Sequence, residues 1–288
     1  MNLKGWKALI LERFDPRAYL PMILVFGAAN CLYANGTVDF PWGKFAAVLL
    51  LLLSFFFRLR LFDEIKDYKT DLKINPTRPL PRGVLSVKEV KIALAILIVF
   101  ELLLSYALGL RVLEVHGVAI VYSLLMFKEF FIGDILRPHL TTYAVTHTFV
   151  SGLVGLSAMV AMLGDREIYP QAIWFLLMNW MFFNLFEFAR KTFAVSEERQ
   201  NVDSYSKIFG LRGALGLSVS QAVAGNIFLT LSTPEGIIGI PWLALIAYII
   251  GIWPTKTRLN TKGIDRFRKI SGVYLLVHYV LTIILLGM

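Results

Sequence analysis

The sequence has one cysteine, Cys31, among 288 residues, which excludes an internal disulfide. It has no strand-like alternation of apolar and polar residues, so a membrane β-barrel is not expected. No cleavable leader is expected, because the first apolar run begins near Ala18 and carries no small-residue cleavage site. No linker or low-complexity tract interrupts it, and a single domain over residues 1–288 is expected. Charge inside the apolar runs is sparse, Glu101 being the clearest case. What is abundant is apolar surface. The chain is 57% hydrophobic with a mean hydropathy of +0.66, against about 45–50% in soluble domains. Runs of about 20 apolar residues, each long enough to cross a bilayer as a helix, recur along the length. Lipid admits only helices or closed barrels, so the expectation is an all-α polytopic membrane bundle.

Nine spans are predicted, at roughly 18–35, 43–62, 88–109, 112–128, 138–163, 170–190, 212–232, 236–253 and 270–287. The formal charge of +9 would suit nucleic acid, but the basic residues sort by loop instead. Of the Lys and Arg residues, 26 fall in the N-terminal segment and the loops after spans 2, 4, 6 and 8, and 3 fall in the others. That asymmetry follows the positive-inside rule. It predicts an N-terminus and even-numbered loops in the cytoplasm, a C-terminus on the opposite side, and no nucleic-acid partner. The two loops richest in charge, after spans 2 and 6, are predicted to emerge on the same cytoplasmic face.

The first of these loops follows FAAVLLLLLSFFF, residues 45–57. Asp63, Asp67 and Asp71 are spaced i, i+4, i+8 and share one stripe of a continuing helix, with Glu64 beside them. Like charges at this spacing repel. Lys66, Lys69 and Lys73 offer ordinary surface pairing. A divalent cation is the other solution, and Mg²⁺ is commonly shared between one or two carboxylates and a substrate phosphate. Pro76, Pro79 and Pro81 end the helix and hold the chain extended, presenting Arg78 and Arg82, whose guanidinium forks suit phosphate oxygens.

The stretch Asp63-Glu64-Ile65-Lys66-Asp67-Tyr68-Lys69-Thr70-Asp71, followed by Arg78-Pro79-Leu80-Pro81-Arg82-Gly83, resembles the first aspartate-rich motif and R-P-L/I-x-x-G tail of the UbiA superfamily of intramembrane prenyltransferases. Asp63 stands where the family has Asn, and Glu64 where it has the first Asp; both keep an oxygen ligand. Tyr122-Ser123 with Lys128 is similar to the family's Y-S-x-x-L-K element, and the nine-span layout is similar too. The second family motif, D-x-x-D-x-x-x-D after Arg, is altered. Aligned on Arg190, this chain has Lys191, Ala194 and Glu198.

The resemblance implies a bundle with a lipid-accessible central cavity and an active site at the cytoplasmic face. It implies transfer of a prenyl group from a polyprenyl diphosphate to a lipophilic acceptor, aromatic or lipid, with Mg²⁺ as cofactor. Asp63, Glu64, Asp67 and Asp71 are the expected catalytic and metal-holding residues, with Glu198 as a further metal ligand. Arg78, Lys128, Arg190 and Lys191 are expected on the diphosphate. Glu187, at the inner end of span 6, calls for a partner, and Arg190 or Lys191 lies at the right spacing. Asn30, Tyr143, His147, Asn184 and Glu187 are candidates for the acceptor or the cavity. The 22 Phe, 11 Tyr and 6 Trp include a cluster on span 6 that would wall a carbocation from water, although aromatics in membrane helices commonly serve packing.

Two rivals stand beside this reading. A terpene cyclase of the same superfamily would ionise the same donor without an acceptor. A transporter would use the charges differently. Chain length of the donor, identity of the acceptor and oligomeric state are not encoded in any legible pattern.

Overall fold

The computed structural model describes residues 2–199, 202–233, 239–256 and 260–287, and among them the regular structure is helical throughout. Among the described residues, eight helical segments are long and apolar enough to cross a membrane, the stretch Leu140–Leu163 counting as one. The predicted span at 236–253 holds a shorter apolar helix, Gly239–Ile252. The chain divides into two compact units, residues 1–131 with 157–165, and 132–156 with 166–288.

In the first unit, helix α1 (Leu3–Arg13) precedes α2 (Pro16–Asn35), α3 (Trp42–Ile74), α4 (Val87–Leu108) and α5 (Leu110–Phe127). α2 starts where Asp15 accepts a hydrogen bond from the Arg17 backbone, with Pro16 in the first turn. α4 starts at a reciprocal capping box between Ser86 and Glu89. Gly109, at φ 137°, allows the break between α4 and α5 that a side chain would resist. α3 is continuous for 33 residues. The apolar run and the carboxylate motif therefore lie on one helix, which ends at Asn75 just before Pro76.

α1 lies against the proline loop. Leu9 is buried with Leu61, Phe62, Leu80 and Leu85, and Asn2 Nδ2 donates to the Val84 carbonyl at 2.8 Å. The approach requires glycine at position 5, because a Cβ there would stand 2.2 Å from the Val84 oxygen. Gly5→Ala is accordingly expected to cost about 1–3 kcal/mol, the usual range for overpacking. A lowered thermal midpoint, with faster protease cleavage near the N-terminus, checks it.

The apolar spans contain a buried charge network. Arg58 on α3 and Glu101 on α4 are both fully buried. Arg58 Nη2 meets Glu101 Oε2 at 2.9 Å, and Nε lies 2.9 Å from Oε1. Ser54 donates to the same carboxylate at 3.1 Å, and His116 Nε2 on α5 lies 3.5 Å from it. Counting Arg58 with the cytoplasmic flank, as the sequence invites, misses this pairing. The mid-span acid has an internal counter-ion.

The second unit contains the short α6 (Gly133–Leu136), α7 (Leu140–Thr148), the start of α8 (Val150–Leu163), α9 (Ala172–Arg190), α10 (Tyr205–Ser232), α11 (Gly239–Ile252) and α12 (Thr261–Leu286). α9 and α10 pack extensively, and α11 and α12 form a second pair. Some polar groups in these apolar helices bond one another, which offsets the cost of burying them. Tyr279 donates to Asn179 at 2.8 Å, and Asn226 to Tyr274 at 2.7 Å.

Candidate active site

The four acids of the first motif divide by helical phase into two pairs with different environments. Asp63 and Asp67 are exposed, and Glu64 and Asp71 are buried. Glu64 Oε1 receives Arg13 Nε from α1 at 2.6 Å and the Arg60 guanidinium from one turn back. Asp71 is held by Arg78 Nη1 at 2.5 Å and by Asn75 Nδ2 at 2.9 Å. Arg60 also lies 3.5 Å from Asp63. The two buried carboxylates thus serve as counter-ions that fold the proline loop and α1 onto α3. Arg82 is taken up in the same way, bonding Glu12 through both terminal nitrogens at 2.9 and 2.6 Å.

Among the described residues, no three His, Cys, Asp or Glu side chains converge as a metal cluster. Asp63 and Asp67 nevertheless fit Mg²⁺ by donor type. Two exposed carboxylates one turn apart match its habit of taking one or two protein oxygens and completing its shell with water and phosphate. Glu64 differs from them: it is buried, with both guanidinium groups on Oε1 and, among the described residues, no hydrogen-bond partner on Oε2.

Lys128 caps α5, its ammonium 5.6 Å from the centre of the Phe127 ring. Glu129, Phe130 and Phe131 follow at φ 51°, 54° and 59°. Three consecutive non-glycine residues in the left-handed region cost about 1–2 kcal/mol each, so neighbouring contacts must hold them there. Asn30, also in the first unit, is fully buried and donates to the Phe26 carbonyl of its own helix at 2.8 Å.

In the second unit, both cations ending α9 pair with Glu187, Arg190 at 2.5 Å and Lys191 at 2.9 Å. Beyond them, Arg190, Arg199 and Arg268 line a cavity of about 530 Å³ together with Glu197 and Glu198. Arg268 comes from α12 and was not singled out in the sequence. It grips Glu197 at 2.8 and 3.1 Å. Glu198 Oε1 accepts from Ser204 and Ser206 at 2.6 and 2.7 Å. Two of the three guanidinium groups already have carboxylate partners, Arg190 on Glu187 and Arg268 on Glu197. Tyr143 and His147 stack at 4.0 Å. Asn184 accepts from Thr148 and donates to Gln221 at 3.2 Å. The structure thus gives Asn184 two side-chain partners inside the second unit.

The Arg268 hydrogen bond is the main reason the Glu197 carboxyl titrates below the usual glutamate value of 4.5. Folded protein therefore holds this proton more weakly than the unfolded chain. The stability so gained is complete above that usual value and drains as pH falls through the folded one. As pH falls from about 5 to about 3, Arg268→Met should lose less thermal stability than the parent. Unfolding midpoints measured across that range check it.

A family model for the UbiA prenyltransferase family matches residues 22–273. The chain belongs to the UbiA prenyltransferase family. Two solved structures share the fold. A digeranylgeranylglyceryl phosphate synthase, studied in membranes, aligns at a TM-score of 0.70 and 16% identity, over 99% of both chains. The apo structure of a UbiA homolog from Aeropyrum pernix K1 aligns at 0.67 and 15%, over 91% of this chain and 94% of the other. No curated protein matches the sequence. At these identities the neighbours establish the UbiA fold, an integral membrane bundle, and the family is one of prenyltransferases.

Proposed function

We propose that this UbiA member transfers a prenyl group from a polyprenyl diphosphate to a lipophilic acceptor in the membrane, in a Mg²⁺-dependent reaction at the cytoplasmic face. The observation that carries the reading is the pair of exposed carboxylates, Asp63 and Asp67, one turn apart at the end of an apolar span. The family match spans most of both compact units, which supports the whole chain working as one domain. Orientation rests on the sidedness of Lys and Arg.

In this reading Asp63 and Asp67 hold the metal, which when bound supplies positive charge to the leaving diphosphate. Glu64 and Asp71 keep the carboxylate helix and the proline loop in place. Arg78, pinned by Asp71, and Lys128 contribute cations to the diphosphate oxygens. Arg190 and Lys191 enter by the sidedness of their loop and by the cationic cavity beside it, and Glu198 shapes that cavity. The donor C–O bond breaks with its electron pair leaving on diphosphate. The allylic carbon then bonds the acceptor, which releases a proton. Tyr143, His147, Asn184 and Asn30 are the polar groups within the spans from which acceptor contacts would be drawn, and Glu187 holds the two cations beside it.

The test is diphosphate release by purified protein in nanodiscs, with geranyl, farnesyl and geranylgeranyl diphosphate, with Mg²⁺ or EDTA. Acceptor arms are a membrane lipid extract and, following the name of one structural neighbour, a glyceryl phosphate lipid. Mg²⁺-dependent release that needs an acceptor is expected. Release without acceptor, yielding a hydrocarbon or terpene alcohol, would replace transfer by cyclisation. A transporter would need mid-membrane charge to meet its cargo, and Glu101, the clearest such charge in the sequence, is engaged by Arg58.

A further inference from the structure

Lys128 stands directly after α5, beside Phe127, and the two residues flanking it are both held from α3. The inference deepens the diphosphate reading above and rests on it. Arg58, Phe62 and Lys66 recur every four residues on α3 and so form one stripe. Each meets α5 or the turn after it, in order. Arg58 Nη1 donates to Ser123 Oγ at 2.7 Å. Phe62 stacks on Phe127 with ring centres 4.7 Å apart. Lys66 Nζ pairs with Glu129 Oε1 at 3.0 Å. Asp63 and Asp67 each follow a member of this stripe by one residue, about 100° around the helix. Contacts that fix the stripe against α5 therefore also fix the two carboxylates relative to Lys128, which sits between the second and third rungs.

The turn after Lys128 supplies a second observation. Glu129, Phe130 and Phe131 hold a left-handed backbone without glycine. Glu129 is buried on Lys66, and Phe130 lies edge-on to Tyr122 at 5.3 Å. Backbone held against its own preference by surrounding contacts clusters at functional sites. Here it redirects the chain immediately after the cation.

We propose that Glu129 and Phe127 are positioning residues which, through Lys66 and Phe62, direct the Lys128 ammonium to phosphate oxygens bound at the Asp63–Asp67 face. Glu129 touches no substrate in this scheme; it acts by holding the turn.

Calorimetric titration of the full chain in detergent with inorganic pyrophosphate and Mg²⁺ tests it without turnover. Lys128→Met should weaken binding about tenfold, and Glu129→Gln by about the same factor. The exchanged pair Lys66→Glu with Glu129→Lys should return affinity to within about threefold of the parent. Recovery of affinity by exchange ties the loss to the Lys66–Glu129 contact rather than to either side chain alone. Parental affinity in Glu129→Gln, or an exchanged pair that regains thermal stability but not affinity, overturns the proposal. Should Glu129→Gln fail to fold, Phe127→Leu takes its place, with the same tenfold loss expected and the same parental affinity overturning it. Parent protein that binds magnesium pyrophosphate but releases none from any prenyl diphosphate overturns the transferase reading, while the variant series still decides this one. Parent protein that does not bind it overturns both.

Discussion

Replacing Asp67 by Asn is expected to slow Mg²⁺-dependent diphosphate release by about 100-fold or more, the scale on which single preorganised electrostatic groups act. Asp67 is exposed on α3, so the change should leave stability within about 0.5 kcal/mol. Glu64→Gln should show the reverse pattern. Glu64 neutralises Arg13 and Arg60, and its loss strands two guanidinium groups against a packed surface. Thermal midpoint should fall, while the remaining folded fraction keeps most of its rate. Release assays and unfolding curves on the two variants separate the roles. Equal loss of rate in both would return Glu64 to the metal site and remove the division of labour drawn here.

The second large effect concerns the membrane interior. Glu101→Leu leaves Arg58 fully buried with its carboxylate gone. Breaking a buried ion pair from one side costs about 3–5 kcal/mol. Replacing both partners, as in Arg58→Met with Glu101→Leu, should recover most of that loss, because no uncompensated charge remains. Reversible unfolding of the two variants in mixed micelles checks the contrast. A single variant as stable as the parent would mean that water or lipid headgroups reach Arg58.

Most of the bundle was legible because hydropathy and charge sidedness are averages over many residues. They located eight spans closely and placed the ninth where only a 14-residue helix, Gly239–Ile252, is described. Mean hydropathy does not register where a helix begins. The carboxylate stripe was legible from spacing alone. Its division into exposed and buried members was not, because the burial of Glu64 depends on Arg13, 51 residues away along the chain. Arg58 reads as a loop flank, since it stands two residues from Arg60 at the end of an apolar run. Only its helical phase against α4 shows that it points inward. Arg268 lies 71 residues beyond Glu197, and no local pattern joins them. The turn at Glu129–Phe131 was invisible for another reason. No glycine marks it, so composition gives no warning of a left-handed backbone.

The unbroken course of α3 has an evolutionary consequence. At 1.5 Å and 100° per residue, one residue inserted between Arg58 and Asp63 would swing both exposed carboxylates by about 100° around the shaft and lift them about 1.5 Å, with no hinge to absorb the error. Many side chains along this stretch can drift, but its length cannot. Relatives that keep the chemistry should therefore differ here by substitution alone, and place their insertions and deletions in the loops on either side.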